Sequence, residues 1–275
     1  WSSGNGSCGA LRMNQDNDDK GPPDAQGRMS FRVLTVNVHK GFSFFNRRLI
    51  LHDLREAVRS VSADMVFLQE VLGTHARHAL RFADWPAAPQ YEFLADTIWS
   101  DFAYGRNAVY PDGHHGNAVL SKFPISHFEN RDVSISGPER RGLLHCIVKA
   151  PNTGGELHAI CVHLGLQERH RRKQLQLLCH LVQEEIPPDA PLVVAGDFND
   201  WLQRAGRVLN GCAGLREVYE HATGRLARTF PAWHPLLPLD RIYVRGARAM
   251  RPIHLGPHPW KSLSDHAPLA AEIVL

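Results

Sequence analysis

Gly196-Asp-Phe-Asn-Asp200 follows without a break on the apolar run Pro191-Leu-Val-Val-Ala195. An acid and an amide two residues apart on extended backbone point the same way. Such a pair is able to hold an attacking water or a hard metal ion while donating a hydrogen bond to a phosphoryl oxygen. Gly196 lets the chain turn sharply just before them. Taken alone, the pentapeptide reads equally as a solvated turn, because Gly, Asp and Asn are ordinary turn formers. What decides between the two is whether other reactive side chains recur in the same setting. Asn37, Glu70, His163, Asp240, Asp265 and His266 all lie at the edge of an apolar run, where strands end and clefts form. Each has an ordinary alternative as a cap, a turn or a surface residue, and a lone histidine after a strand, such as His163, is usually a loop residue. Glu70 abuts Val66-Phe-Leu-Gln69, and a charge against a buried strand needs a partner such as a cation.

The elements that must position these residues are legible from their periodicity. Phe31 to Val38 alternates as a strand and ends in His39-Lys-Gly41. Arg47 to Val61 places Leu49, Ile50, Leu54, Ala57, Val58 and Val61 at helical spacing. Asp64 to Gln69 reads as the next strand. Beyond a Pro-rich loop come strand candidates at Tyr91–Leu94, Asn117–Ser121, Leu143–Lys149 and Leu157–Val162, the last ending at His163. Glu168 to Glu185 reads as a second helix, followed by the strand into Gly196 and a mixed segment to about Thr229. Arg241–Val244 and Pro268–Leu275 close the pattern. Several neighbouring strands leave no room for a helix between them, which argues for mixed or antiparallel sheets over a purely doubly wound one.

Composition sets the outer bounds. The chain has 275 residues, 43% hydrophobic and 21% charged, an ordinary globular mix that suits one large domain. A formal charge of +3 is too small to argue for nucleic acid by itself. No stretch approaches the roughly 18 consecutive apolar residues of a membrane span. Residues 1–30 are rich in Gly, Ser, Asn and Asp without an apolar signal core, and read as a disordered N-terminal tail, with the domain over 31–275. The five cysteines include no C-x-x-C pair, and Cys146 and Cys161 fall in strand-like runs. They read as small core residues of a protein in a reducing, cytoplasmic setting.

The ordered set Thr35-Val-Asn-Val38, Leu68-Gln-Glu-Val71, Gly116-Asn-Ala-Val-Leu-Ser121, Val162-His163, Gly196-Asp-Phe-Asn199, Leu239-Asp-Arg-Ile242 and Ser264-Asp-His266 resembles the endonuclease/exonuclease/phosphatase (DNase I-like) superfamily. Asn37-Val-His-Lys-Gly41 and Arg228-Thr-Phe-Pro231 are most similar to its short bacterial members. The resemblance implies an α/β (α+β) fold, a four-layer α/β sandwich of two packed mixed β-sheets flanked by helices, with the site at one end of the sheets. It also implies hydrolysis of phosphate esters with Mg²⁺, for which Mn²⁺ is a substitute. On this likeness Glu70 is the metal ligand, with Asn37 and Asp265 beside it. Asp197 orients or deprotonates the attacking water, and Asn199 donates to the phosphoryl oxygens. His266, oriented by Asp265, contacts the scissile phosphate. Asp240 matches an acid that orients another catalytic group, or anchors loop amides. His163 acts as general acid or hydrogen-bond donor to the leaving oxygen, while Arg141 and Asn117 lie beside the substrate. His39 stands where abasic-site endonucleases carry a metal-binding Asp. A neutral imidazole is a poorer partner for Mg²⁺, so His39 is expected at the substrate phosphate.

For the substrate, a phosphodiester, nucleic acid is the default and a phospholipid headgroup the runner-up, with membrane contact if it is a lipid. A non-catalytic binding protein on the same fold is the third reading, and a monomer is expected in each. Basic runs at Glu168-Arg-His-Arg-Arg-Lys173, Arg140-Arg141 and His114-His115 suit polyanions, although such runs are commonly solvated faces. No aromatic-rich stripe suited to base stacking is visible in the sequence. The Trp-Cys-Asp-Arg hallmark of inositol 5-phosphatases is replaced by Pro238-Leu-Asp-Arg241. The apolar loop Phe230–Leu237 precedes Asp240 and suits either packing or contact with lipid.

Overall fold

Alternation along each strand divides its residues between two apolar layers, and this division builds the molecule. A computed structural model describes residues 29–43, 48–150 and 155–275. Its strands are β1 (Ser30–Asn37), β2 (Met65–His75), β3 (Asp101–Tyr110), β4 (Gly113–Ser121), β5 (Ile125–Asp132), β6 (Gly142–Lys149), β7 (Glu156–His163), β8 (Leu192–Asp197), β9 (Arg216–Glu217), β10 (Asp240–Arg245), β11 (Ala249–Ile253) and β12 (Leu269–Val274). Its α-helices are α1 (Leu51–Ser60), α2 (Ala76–Arg81), α3 (Gln90–Ala95), α4 (Glu168–Glu185), α5 (Ala205–Ala213) and α6 (Val218–Thr223).

The strands form two six-stranded sheets, in the orders β11-β12-β1-β2-β4-β3 and β5-β6-β7-β8-β10-β9. Both are mixed, because β1 runs parallel to β2 and β7 parallel to β8, whereas the other pairs are antiparallel. Phe31, Val33, Phe67 and Val119 of the first sheet meet Cys146, Ala159, Ala195 and Ile242 of the second in the central core. Shifting by one residue reaches the outer layers. Leu34, Val36 and Leu68 pack under α1 and α3, and Ile160, Val162 and Val194 pack under α4 and α5. The result is the expected four-layer sandwich, with period-two patterning feeding three apolar layers.

Several expectations are corrected. Tyr91–Leu94 is part of a helix, not a strand: Pro89 precedes it, and Leu94 and Ala95 lie buried on one helical face against the first sheet's outer layer. β3, β5, β9, β11, α2, α5 and α6 were not foreseen. The first helix spans Leu51–Ser60, and part of its expected start lies outside the described residues. The expected tail falls on residues 1–28, also outside the described residues, but Met29 is buried and Ser30 already belongs to β1. Cys146 and Cys161 are buried free thiols, as read. Cys179 and Cys212, however, form a disulfide that joins α4 to α5. This pairing is of the kind found in oxidising compartments, against the expectation of reduced thiols. Among the described residues no helix is long and apolar enough to cross a membrane.

Candidate active site

Strand pairing brings the reactive residues together at one end of the two sheets. In the second sheet His163 pairs with Asp197 across β7 and β8, and Asp197 pairs with Asp240 across β8 and β10. Three adjacent strands thus deliver His163, Asp197 and Asp240 at one level. β7 and β8 approach so closely there that a Cβ on Gly196 would stand 2.0 Å from the Val162 carbonyl oxygen. Gly196 also has φ of +146°, so glycine is required on both counts. In the first sheet Asn37 ends β1 beside Gln69, and Glu70 follows at a register shift in β2 with φ of +58°. The loop entering β12 supplies Ser264, Asp265 and His266. It is fastened by the Ser264 hydroxyl, which donates to the Asn37 carbonyl at 2.6 Å and accepts from the His266 amide at 3.2 Å.

His266 lies between two carboxylates. Its Nδ1 is 2.8 Å from Asp240 Oδ2 and its Nε2 is 3.8 Å from Asp197 Oδ2. Burial opposes a charge on this ring, but Asp240 and Asp197 overcome it and raise the pKa to about 10. His266 is therefore an imidazolium at neutral pH. The orienting acid is Asp240, which corrects the expectation that Asp265 would hold this ring. Asp265 instead meets His39, whose Nδ1 is 2.9 Å from its Oδ1. That hydrogen bond is the largest influence raising the His39 pKa. Burial works against the Asp265 charge, yet His39 and His266 carry its pKa below the ordinary carboxylate value.

Asp197 is buried with every neighbour accounted for. Its Oδ1 accepts from the Asn199 amide at 2.8 Å, and its Oδ2 from Asn37 Nδ2 at 3.3 Å. His163 Nε2 stands 3.5 Å from the same Oδ2. Burial, then the nearby Asp240 charge, raise the Asp197 pKa to about 7 against the pull of His266. A carboxyl with a pKa near neutrality suits a general base. His163 goes the opposite way: burial, then Arg141 and His266, push its pKa well below the ordinary value. It is a neutral ring that donates or accepts hydrogen bonds.

Asn199 adopts φ of +49°, and its Nδ2 donates to the Leu164 carbonyl at 2.9 Å. Arg141, not Arg140, is the arginine turned inward. Its guanidinium donates to the Leu164 carbonyl and to Glu139. Asn117 departs from its expected place at the substrate. Its Nδ2 reaches the carbonyls of Gly142 and Cys161, tying the two sheets together.

The sequence reading missed four neighbours. Lys40 Nζ lies 3.7 Å from Glu70 Oε2. Phe230 packs on the His266 ring with centroids 5.0 Å apart. Ser264 fastens the loop, and its place immediately before Asp265-His266 was the available signal. His115, taken as half of a basic pair, has its pKa lowered to about 4 by burial and then by Lys40, so it is neutral. The basic run at the start of α4 is likewise partly structural. Arg171 is buried, bonded to the Gly165 carbonyl and stacked over Trp201 at 4.0 Å.

Among the described residues one group of acids and histidine is close enough together to invite a metal. One reactive atom each from Asp197, Asp240 and His266 lies within 4.8 Å of the others. There, however, His266 Nδ1 is engaged by Asp240 and the ring is protonated, so this trio suits proton and charge chemistry. Asn37, Glu70 and Asp265 offer oxygen donors instead, and the last two carboxylates keep side-chain exposures of 23% and 16%. Their oxygens, and the loose ion pair with Lys40 that a cation could replace, fit a hard divalent ion.

Two packed mixed sheets of this topology flanked by helices, with acids, amides and histidines gathered at one end, form a sandwich of the DNase I-like kind. The chain belongs to the endonuclease/exonuclease/phosphatase family, whose model matches residues 34–266. It is similar to a protein of Escherichia coli called YbhP, described as uncharacterized, with 59% identity over 253 residues, or 92% of this chain and 100% of that one. Among solved structures it resembles an endonuclease/exonuclease/phosphatase from Beutenbergia cavernae, with a TM-score of 0.67, 18% identity, and coverage of 90% of this chain and 72% of that one. It also resembles D. rerio TDP2 complexed with single strand DNA product, with a TM-score of 0.62, 22% identity, and coverage of 89% and 98%. At these identities the structural likeness speaks for the fold alone.

Proposed function

We propose that the chain is a divalent-metal-dependent phosphodiesterase whose chemistry is centred on Asp197 and the Asp240–His266 pair. The observation that carries this reading is His266 held by Asp240 at 2.8 Å, with Asp197 3.8 Å from its other ring nitrogen. A buried cation beside a poised base is what an attacking water and a phosphoryl anion require. Asn37, Glu70 and Asp265 would hold the ion, which supplies Lewis-acid polarisation of a phosphoryl oxygen. Asp197, fixed by the Asn199 amide and Asn37, orients the water and takes its proton. His266 stabilises charge building on the phosphoryl oxygens, a contribution of several kcal/mol in sites of this kind. His163, neutral and inward, donates a hydrogen bond to the leaving oxygen. His39 keeps Asp265 ionised and in place.

One reading of the substrate is nucleic acid, in keeping with the similarity to a TDP2 structure that holds a DNA product. A second reading, a phospholipid, is favoured by the exposed Trp233, Leu236 and Leu237 on the loop that begins at Phe230, beside His266. The test of the common claim is hydrolysis of bis-p-nitrophenyl phosphate with Mg²⁺ or Mn²⁺, repeated with His266→Ala and Asp197→Ala. Turnover by the parent that both variants abolish is the expected result. A parent inactive with either metal points to a non-catalytic binding protein.

A further inference from the structure

The loop that carries Phe230 has a second face, turned to an apolar trough of about 430 Å³, within the size range of small-molecule sites. Trp233, Leu255, Trp260 and Ala267 are among its walls. The trough is coupled to the catalytic loop through the backbone. The Ala232 amide donates to the Asp265 carbonyl at 2.7 Å, and the Ala267 amide to the Thr229 carbonyl at 2.8 Å. Ala232 and Ala267 both line the trough, so its wall starts one residue from His266.

Three features select the occupant. Arg228, His254 and Lys261 line the trough and, among the described residues, no Asp or Glu does, which complements an anionic amphiphile. The polar handle of Tyr219 is engaged, its hydroxyl bonded to the carbonyls of Ile253 and Ala270. On the same loop Trp233, Leu236 and Leu237 stand 64%, 52% and 39% exposed. An apolar cluster of this sort in water marks an interaction surface, and aromatic side chains beside basic ones suit a membrane interface.

Resting on the phosphodiesterase reading above, we propose that the substrate is an anionic phospholipid taken from a membrane surface. One acyl chain lies in the trough, the Trp233 loop sits in the interface, and the phosphodiester reaches His266. The reaction balances as hydrolysis. Water gives its oxygen to phosphorus and one proton to Asp197, the ester P–O bond breaks, and the departing alkoxide recovers a proton.

The test combines vesicle flotation with kinetics. Full-length protein and the variants Trp233→Ser, Leu255→Asp and Lys261→Glu are floated with vesicles of phosphatidylglycerol and phosphatidylcholine, and with phosphatidylcholine alone. The wild type is expected on the anionic vesicles, with each variant bound about tenfold or more weakly. Hydrolysis of bis-p-nitrophenyl phosphate, which has no acyl chain, stays unchanged in Trp233→Ser and Lys261→Glu, while kcat/KM for dioctanoyl phosphatidylglycerol falls about tenfold. Wild-type protein that fails to float overturns the proposal. So do variants that float like the wild type, or that lose binding to a single-stranded oligonucleotide and keep binding to vesicles. If flotation depends on Trp233 but the wild type hydrolyses neither substrate, the lipid site stands and the catalytic reading fails.

Discussion

His158, near the start of β7, and His163, at its end, are 2% and 6% exposed. Each stands beside a second buried histidine. His158 Nδ1 meets His145 Nε2 at 3.0 Å, and both rings lie on the face of the second sheet opposite the central core. Among the described residues no carboxylate bonds to either. Burial, then His158, lowers the His145 pKa to about 4, and burial lowers that of His158. At the other end His163 is also driven neutral, yet His266 nearby is driven to about 10. The difference is the placement of acids: β8 ends and β10 begins with an aspartate at that level. Burial alone silences an imidazole, and two buried carboxylates reverse the outcome at one ring while leaving its neighbour uncharged. That contrast produces a cation, a base and a neutral donor within a few ångströms, which one end of a sheet needs in order to handle a phosphate.

The contrast can be attacked from its strongest consequence downward. Asp197→Asn removes the base and should lower kcat on bis-p-nitrophenyl phosphate by about 10⁴-fold with the fold intact by circular dichroism. Retention of a tenth of the activity would give the water to another residue. Asp240→Asn should cost about 10²- to 10³-fold at every Mg²⁺ concentration, because His266 loses its charge partner. Asp265→Asn should instead raise the Mg²⁺ requirement, by roughly 10- to 100-fold, and recover at high metal. If the two variants exchange these behaviours, Asp265 orients His266 after all. His163→Gln should cost only about tenfold, equally for p-nitrophenyl and phenyl esters, as expected for a neutral donor. A much larger loss on the phenyl ester would make His163 a general acid.

The smallest effect belongs to the quiet end of β7. A histidine whose folded pKa lies below its unfolded value destabilises the fold once the unfolded chain binds protons. Stability should therefore fall as pH drops from about 6.5 towards 4, by on the order of 2 kcal/mol from His145. Urea titrations of the parent and of a His145→Leu/His158→Leu variant check this, and an acid slope unchanged in the variant would assign it elsewhere. Activity also declines on the acid side, for a different reason. It should climb through a midpoint near 7 as Asp197 ionises and fall again towards 10 as His266 loses its proton.

How far the sequence carried these conclusions depends on what each residue relies on. Asn37, His163 and Asp197 were readable because an apolar strand ran into each of them, so position in the fold followed from local pattern. β3, β5 and β11 were not, because they alternate little, and most of β5 is exposed. Tyr91–Leu94 misled because three apolar or aromatic residues around Glu92 cannot fix a period by themselves. The partner of His266 was misassigned for a related reason. Asp265 is its neighbour in sequence, but the adjacent backbone points that carboxylate towards His39, whereas Asp240 arrives from 26 residues away on β10. Lys40 and His115 carried no signal, since their roles arise from burial and from charges on distant segments.

The claim that Asp197 and Asp240 set His266 apart from the other buried histidines is most directly measured by ¹⁵N NMR of the histidine rings as pH is varied. His266 should keep both ring nitrogens protonated at about pH 8, with His145, His158 and His163 neutral there and remaining so below the ordinary midpoint near 6.5. In Asp240→Asn, the His266 midpoint should fall. A His266 ring that loses its proton near 6.5 in the wild type would contradict the account.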